Sequence, residues 1–309
     1  MTFDKICDMI ELTVFTPAYN RAHTIGRTYD SLCRQTCKDF CWLVVDDGSS
    51  DNTRQLVEGW IAEGKIPIKY IYQKNQGMHG AHNTAYRNID TPLNTCIDSD
   101  DYMPDDAVEK ILNCWHEYGS DEVAGLIGLD VTEDGHVIGT EFPESLSRTT
   151  LQGFYQAGGR GDKKMVYRTD IIKRYPEYPI FEGERYVGLA YKYMLIDQDF
   201  KLITLNEPLV VVEYQQDGSS FNMFKQYWNN PRGFAFYRKT EMKVATSLKR
   251  KLQVCTHYVS SSIISRNWRF IQESPEKLLT ILCVPSGIAL YMLIRSKVKH
   301  DAKMVISKK

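Results

Sequence analysis

The sequence predicts an α/β fold built on a doubly wound, mostly parallel sheet and followed by a helical C-terminal extension. Over residues 11–130, short apolar runs alternate with segments of helical period, a pattern typical of strand–helix–strand units. After residue 221 the chain becomes rich in aromatic residues and helical in pattern. We therefore expect an α/β domain over residues 1–215 and a helical extension over residues 216–309.

The predicted strands are apolar runs bounded by turn residues. They comprise residues 12–16, 42–45, 68–72, 94–97, 123–129, 165–167, 201–205 and 209–213. Helices are predicted between the first strands, where apolar side chains recur every three or four residues, as at Ile25, Tyr29 and Leu32. A later helix is predicted over residues 184–196.

The composition is that of a protein able to form a core without disulfides or structural metals. Of 309 residues, 43% are hydrophobic and 25% are charged. The formal net charge of -1 gives no long-range attraction for nucleic acid, so we expect no nucleic-acid partner. The eight cysteines include no CxxC pair, and acids interrupt the apolar residues of the first segment, MTFDKICDMIELTVFT. The sequence therefore predicts a cytoplasmic protein.

The C-terminal segment 278–309 is a candidate for membrane association. Residues 278–294 are apolar but contain Pro285 and Gly287, and several basic residues follow. A spanning helix needs about 20 apolar residues, so this segment is marginal for crossing a bilayer. It suits the headgroup region of an anionic leaflet, which places the protein at the inner face of the membrane. The alternative is a core helix with a solvated basic tail.

Two predicted strands run directly into polar loops. The first strand is followed by the sequence TPAYNR, which would face the ligand crevice of a doubly wound sheet. The second strand ends in Asp46 and Asp47, followed by a Gly48 turn. Capping of the next helix explains Ser50 or Asp51, but it does not explain two adjacent acids, which are costly unless they meet hydrogen-bond donors.

A third strand ends in the acidic sequence DSDDYMP. In an extended chain Asp98 and Asp100 point to the same side, where carboxylates suit a hard divalent cation such as Mn²⁺ or Mg²⁺. A helix N-terminus enriched in acids is the alternative, and it explains Asp101 better than Asp98.

Together these segments resemble the inverting family 2 glycosyltransferases, whose fold is called GT-A, over residues 12–230. The resemblance implies a nucleotide-sugar site formed by Pro17, Tyr19, Asn20, Asp47, Asn83, Asp98 and Ser99. In that family the first loop borders the nucleotide, the acid at Asp47 reads the uracil, and the acid at Asp98 lies near the ribose. Asp100 then holds the metal of the DxD motif, and Asn83 belongs to the glycine-rich segment that passes under the nucleotide.

The sequence FEGER at residues 181–185 resembles the family's ED motif, which supplies the catalytic base. The acid pair is replaced here by Glu184 and Arg185, so Glu184 is the candidate base and Glu182 the reserve. The alternative is that both acids lie in the first turn of the helix predicted over residues 184–196. The loop at residues 214–220 resembles a lid over the bound donor.

The resemblance implies a metal-dependent hexosyl- or N-acetylhexosaminyl-transferase. A nucleotide-sugar donor, UDP-sugar above all, would react with a glycan or lipid-linked acceptor in surface polysaccharide or glycolipid synthesis. A sugar nucleotidyltransferase is the enzyme alternative, but it should carry a basic Gly-rich loop where this chain has PAYNRAHT. A non-catalytic sugar-nucleotide-binding homologue is the other alternative, and Glu184 beside Arg185 is its support.

Overall fold

The computed structural model describes residues 9–213 and 223–307, with side chains described to residue 300. The chain divides into two compact units. The first spans Met1–Glu177 and Leu195–Gln215, and the second spans Tyr178–Met194 and Gln216–Lys309. The lid predicted at residues 214–220 lies outside the described residues.

The first unit contains an eight-stranded, mostly parallel sheet. Its strands are β1 (Leu12–Ala18), β2 (Phe40–Asp46), β3 (Ile68–Tyr72), β4 (Leu93–Cys96), β5 (Val123–Val131), β6 (Arg148–Thr149), β7 (Lys163–Arg168) and β8 (Lys201–Val211). Their order across the sheet is β3-β2-β1-β4-β7-β5-β8-β6. Only β6 and β7 run antiparallel to their neighbours. The predicted sheet is therefore confirmed.

Helices surround this sheet, and those predicted between its first strands are confirmed. They are α1 (Ile25–Arg34), α2 (Thr53–Glu63), α3 (Met78–Asn88), α4 (Ala107–Tyr118), α5 (Leu151–Gln156) and α6 (Thr169–Arg174), and α7 (Ala190–Asp199) contains the division between the units. An aromatic stack anchors α1 and α2 to β2. The rings of Tyr29 and Trp60 lie 4.3 Å apart, and the indole of the fully buried Trp42 donates to Thr16 Oγ1 at 2.9 Å.

One strand differs from its prediction. Residues 201–205 and 209–213 were expected as two strands, but β8 is continuous and irregular in register, because Ile127 of β5 pairs with Thr204 and Leu129 pairs with Pro208. The residues between them bulge, and the Asn206 side chain fixes the bulge by bonding both the amide and the carbonyl of Phe142. A gap in apolar alternation therefore marks a bulge and not a turn.

The second unit is helical, as predicted for the C-terminal extension. Its helices are α8 (Met223–Asn229), α9 (Pro231–Val244), α10 (Leu248–Ile264), α11 (Phe270–Glu273), α12 (Lys277–Leu282) and α13 (Val284–Ser307). Tyr258, Val259 and Cys255 of α10 lie at the centre of its core. Among the helices of the described residues, none is long and apolar enough to cross a membrane.

The backbone of β5 generates a prediction about stability. Gly125 has φ +143°, and a Cβ there would lie 2.0 Å from the carbonyl oxygen of Val166. We expect Gly125→Ala to lower the free energy of unfolding by about 2 kcal/mol, because both the backbone angle and the neighbouring strand oppose a side chain.

Gly59→Ala on the exposed face of α2 is the matched control, since a Cβ at Gly59 meets nothing within 4 Å. It should stabilise the protein by roughly 0.5–1 kcal/mol. Thermal unfolding followed by circular dichroism compares the two variants. If Gly125→Ala melts no earlier than the wild type, the described path of β5 is wrong.

Candidate active site

The candidate site of the first unit lies at the edge where its parallel strands end. Strands β1, β2 and β4 are parallel neighbours, so the residues that follow them meet at one edge of the sheet. This edge carries the predicted residues Pro17, Tyr19, Asn20, Asp47, Asp98, Ser99 and Asp100.

Pro17 lies inside β1, where its missing N–H leaves no gap in the sheet. The pairing of β1 with β4 ends at Phe15, whose carbonyl accepts from the Ile97 amide at 3.0 Å. The backbone nitrogen of Pro17 points to the same side as that carbonyl, but it lies beyond the last paired residue, where no partner strand needs a donor. Pro17 thus marks the point where β1 and β4 separate and a crevice can open.

Asn20 connects the loops after β1 and β2. Its φ is 54°, a left-handed conformation that asparagine tolerates better than most residues. Its amide donates to Ser49 Oγ at 2.8 Å, and its side-chain oxygen accepts from the Ser50 amide at 2.8 Å. The neighbouring Tyr19 is 51% exposed, which leaves its ring accessible to a ligand. Asn20 therefore builds the loop that presents Tyr19.

The two acids at the end of β2 have separate sets of hydrogen-bond donors. Asp46 accepts from the Tyr70 hydroxyl at 2.5 Å and from the Ser49 amide at 2.7 Å. Asp47 is buried and accepts from the Gln73 side chain and from the amides of Gln76 and Gly77, at 2.7, 2.8 and 2.7 Å. These bonds offset the cost of burying two adjacent carboxylates. The Asp47 carboxylate thus orders the loop that leads into α3, and its reading of a uracil stays a prediction.

Helix α3 places Asn83 in the interior of the first unit. The helix follows Gly77, whose φ of 84° favours glycine, and Asn83 is only 3% exposed. The preceding residue, His82, is fully buried and packs edge-on against the Phe15 ring at a centroid distance of 5.0 Å. His82 is therefore a core residue.

The acidic loop after β4 is a turn, which corrects the extended chain assumed above. The Asp101 amide donates to the Asp98 carbonyl at 3.0 Å, which closes the turn. Asp98 and Asp100 are half-buried, whereas Ser99 and Asp101 are buried. Asp101 accepts from the Glu213 amide at 3.2 Å. Burial raises the pKa of Asp101 to about 7, although the positive charge of Lys164 acts to lower that pKa. Asp101 is thus a buried structural acid, and its two neighbouring acids remain accessible.

Lys164 and Asp130 interact electrostatically with the acidic loop after β4, although neither is predicted as a site residue from the sequence. Lys164 Nζ donates to the carbonyl of Cys96 at 3.0 Å. Burial alone would lower the pKa of Lys164, but the charges of Asp130 and Asp98 raise it above its ordinary value. Asp130 at the end of β5 is buried, its pKa is raised by burial, and its Oδ1 has no hydrogen-bond partner within the described parts of the chain. The ammonium therefore offsets repulsion among several carboxylates.

The sequence held a signal for both missed residues. Asp130 lies at the end of a third buried strand, much as Asp46 ends β2 and Asp98 follows β4. Lys164 interrupts an apolar strand, and a charge in such a strand needs a partner. Neither signal indicates a residue of this site by sequence alone, because only the folded sheet places β7 between β4 and β5.

The accessible acids of this loop fit a weakly held divalent cation. Asp98 and Asp100 offer the oxygen ligands that Mg²⁺ and Mn²⁺ prefer, and such ions commonly use one or two carboxylates together with waters and substrate phosphates. Across residues 9–213 and 223–300, no cluster of three or more His, Cys, Asp or Glu side chains could hold a metal by itself. The donor set therefore suits a metal shared with a phosphorylated ligand.

In the second unit, Glu184 serves as a cap for a distant helix. Its Oε1 accepts from the Arg232 amide at 3.1 Å and from Arg232 Nε at 2.9 Å, and its Oε2 accepts from the Gly233 amide at 2.8 Å. These donors form the N-terminus of α9, whose dipole favours a negative charge. The carboxylate is buried, with only 5% of the residue exposed.

The helix predicted over residues 184–196 begins later, at Ala190. The preceding residues form a turn at Gly183, whose φ is 80°. Glu182 lies in this turn and is exposed, and its carbonyl accepts from Arg232. The alternative that both acids lie in the first turn of this helix is therefore wrong, because the helix begins at Ala190 and Glu184 caps α9.

Comparison with known proteins identifies the family of the first unit. The model of the family described as Glycosyl transferase family 2 matches residues 13–175. The glycosyltransferase GlyA of Streptococcus pneumoniae is 31% identical over 140 residues, which are 44% of this chain and 20% of that protein. Chondroitin synthase of Escherichia coli is 35% identical over 102 residues, which are 33% of this chain and 15% of that protein. The chain thus matches only a small part of the length of these relatives.

Solved structures share the fold over most of the chain. Residues 1–349 of S. aureus TarS align with a TM-score of 0.58 at 16% identity, covering 94% of this chain and 92% of that one. The mannosyltransferase PcManGT of Pyrobaculum calidifontis aligns with a TM-score of 0.56 at 16% identity, covering 96% and 85%. This likeness establishes the fold and confirms the predicted GT-A architecture. With more than half of its residues matched by the family model, the chain belongs to glycosyl transferase family 2.

Proposed function

We propose that the chain is an inverting glycosyltransferase that moves a sugar from a nucleotide-diphosphate donor to an acceptor hydroxyl. The family match over residues 13–175 carries the proposal, since it contains the sheet edge that bears Asp47, Asp98 and Asp100. The relatives named chondroitin synthase and GlyA support sugar transfer, and the acceptor that we propose is a glycan or a lipid-linked sugar. We place this reaction at the cytoplasmic face of a membrane.

A UDP-sugar is the donor we propose. TarS has been solved with UDP-GlcNAc, whereas PcManGT has been solved with GDP-Man and Mn²⁺, so the fold accommodates both nucleotides. In our assignment Pro17, Tyr19 and Asn20 border the nucleotide, with Asn83 in the helix beneath it. Asp47 accepts from the uracil, and Asp98 and Ser99 contact the ribose. The exposed Tyr19 ring suits stacking on a planar base.

Asp100, assisted by Asp98, is the residue we propose for holding Mn²⁺ or Mg²⁺. When bound, the ion supplies Lewis-acid neutralisation of the diphosphate leaving group. The protein contributes the turn that keeps both carboxylates accessible and the Lys164 ammonium that offsets the charge of the surrounding acids. Without that ammonium, the carboxylates of Asp98, Asp101 and Asp130 would repel one another.

The contacts in the second unit favour Glu182 over Glu184 as the catalytic base. A general base must reach the acceptor hydroxyl and take its proton. Both oxygens of Glu184 already accept bonds from the start of α9, whereas the carboxylate of Glu182 is exposed. Arg232 bonds to the Glu184 carboxylate and to the Glu182 carbonyl, so it fixes the turn that presents Glu182. Glu184 then acts as a positioning residue.

Removal of divalent metal should abolish donor turnover. With UDP-sugars as donors, we expect nucleotide release to stop in excess EDTA and to return with Mn²⁺, because the leaving diphosphate then loses its main neutralising charge. Asp100→Asn should require more metal for the same rate. The measurement is UDP release at increasing Mn²⁺ concentration. Full activity in EDTA would show that a side-chain cation neutralises the leaving group.

Substitution of the two glutamates should separate catalysis from helix capping. Glu182→Gln should reduce transfer by about 10²- to 10⁴-fold, the typical worth of general-base catalysis, without changing the melting temperature or the donor affinity. Glu184→Gln should lower the melting temperature, because it removes the buried carboxylate that pairs with Arg232 and accepts hydrogen bonds from two backbone amides.

These two variants are controls for each other, since each removes one negative charge from the same turn. Transfer rate, donor affinity and melting temperature are measured for both. A normal transfer rate in Glu182→Gln, with a large loss in a folded Glu184→Gln, would return the base assignment to Glu184. Normal rates in both variants would remove the base from this segment.

A further inference from the structure

Helices α12 and α13 bury one face and expose the opposite one. On the inner face, Leu279, Cys283 and Val284 pack into the core of the second unit. Gly287 lies so close to α10 that a Cβ there would come within 2.4 Å of the Val259 side chain. Ile294 is also buried. The two helices are thus fixed against α10, and the orientation of their outer face is defined.

The outer faces of the two helices carry six large apolar side chains. This apolar stripe consists of Leu278, Ile281, Leu282, Ile288, Met292 and Leu293. Their exposed fractions run from 39% at Ile288 to 79% at Leu278. They recur at helical spacing, on the side opposite the buried residues. Single exposed apolar residues are ordinary, but six large ones on the side opposite the buried residues of two consecutive helices indicate a surface that binds a partner.

The charges beside the stripe have one sign. Between Lys277 and His300 the sequence contains no Asp or Glu, whereas Lys277, Arg295, Lys297 and Lys299 are all basic and exposed. At 100° per residue, Arg295 and Lys297 fall on the two edges of the stripe on α13. Long basic side chains at the edges of an apolar helix face can reach outward to the lipid phosphates. This local excess of positive charge contrasts with the net charge of -1 of the chain.

We propose that the apolar stripe lies in the headgroup region of an anionic membrane leaflet, with α12 and α13 parallel to its surface. Apolar side chains on one face and basic residues along its edges are the features of helices that bind at the interface. A second copy of the chain fits less well, because two copies of this face would bring like charges together. The proposal deepens the proposed function by placing the enzyme beside lipid-linked acceptors, but its evidence is independent of the transfer reaction.

Vesicle co-sedimentation of the full chain tests this surface. The wild type should bind phosphatidylcholine vesicles that contain phosphatidylglycerol, bind pure phosphatidylcholine vesicles much less, and lose binding as salt increases. The triple variant Leu278→Gln, Leu282→Gln, Met292→Gln should bind anionic vesicles at least roughly tenfold more weakly, because three apolar contacts are lost. Its melting temperature should not fall, since all three side chains are exposed.

Leu248→Gln is the matched control, because Leu248 is an exposed leucine of α10 that lies outside the stripe. It should bind vesicles like the wild type. A second variant, Arg295→Gln with Lys297→Gln, should reduce binding and its dependence on salt. UDP release without a lipid acceptor should be unchanged in all of these variants, which separates failure of the surface from failure of the proposed enzyme.

Three outcomes would overturn the proposal. The first is a wild type that does not bind anionic vesicles. The second is a stripe variant that binds them as tightly as the wild type does. The third is a wild type that dimerises in analytical ultracentrifugation, with dimerisation lost in the stripe variant and no binding to vesicles, because a second copy would then cover the stripe.

Discussion

The convergence of parallel strands on one edge of the sheet is the constraint on which the candidate site depends. Strands β1, β2, β4 and β5 all end at this edge, and three of them end in or next to carboxylates. Such a concentration of negative charge would be unfavourable without compensation. Backbone amides and a tyrosine hydroxyl compensate Asp46 and Asp47, and the Lys164 ammonium compensates the acids around Asp98. The loops can therefore present Asp98 and Asp100 to a ligand.

A similar use of buried charge organises the second unit. The two carboxylate oxygens of Glu184 accept hydrogen bonds from the amides at the start of α9, and the Arg232 guanidinium neutralises the charge of Glu184. Removing Arg232 would leave the buried Glu184 carboxylate without an opposing charge, which is costly. The turn that carries Glu182 is thus held by α9, because Arg232 donates a hydrogen bond to the Glu182 carbonyl, 50 residues earlier in the chain. A rigid turn with one exposed carboxylate is suited to presenting a base.

The sequence was most informative where a local pattern alone decides the structure. Apolar runs predict β1 to β5, because buried strands need apolar residues whatever their neighbours are. The polar and acidic sequences that follow these strands carry the family resemblance. It was less informative where the outcome depends on distant partners. The start of α7 was misplaced because Glu184 finds its donors at Arg232, and Lys164 was missed because β7 inserts between β4 and β5 only in the folded sheet. The sequence alone does not reveal the turn at Asp98, because a single hydrogen bond from the Asp101 amide to the Asp98 carbonyl closes it.

The proposed function requires this sheet edge to bind a nucleotide sugar together with a metal ion. Titration calorimetry of a UDP-sugar into the wild type and Asp100→Asn, each with and without Mn²⁺, measures that binding. We expect Mn²⁺ to strengthen donor binding in the wild type and Asp100→Asn to lose most of this gain, while both proteins remain folded. Donor affinity that is the same with and without Mn²⁺ in both proteins, or no binding of any UDP- or GDP-sugar, would contradict it.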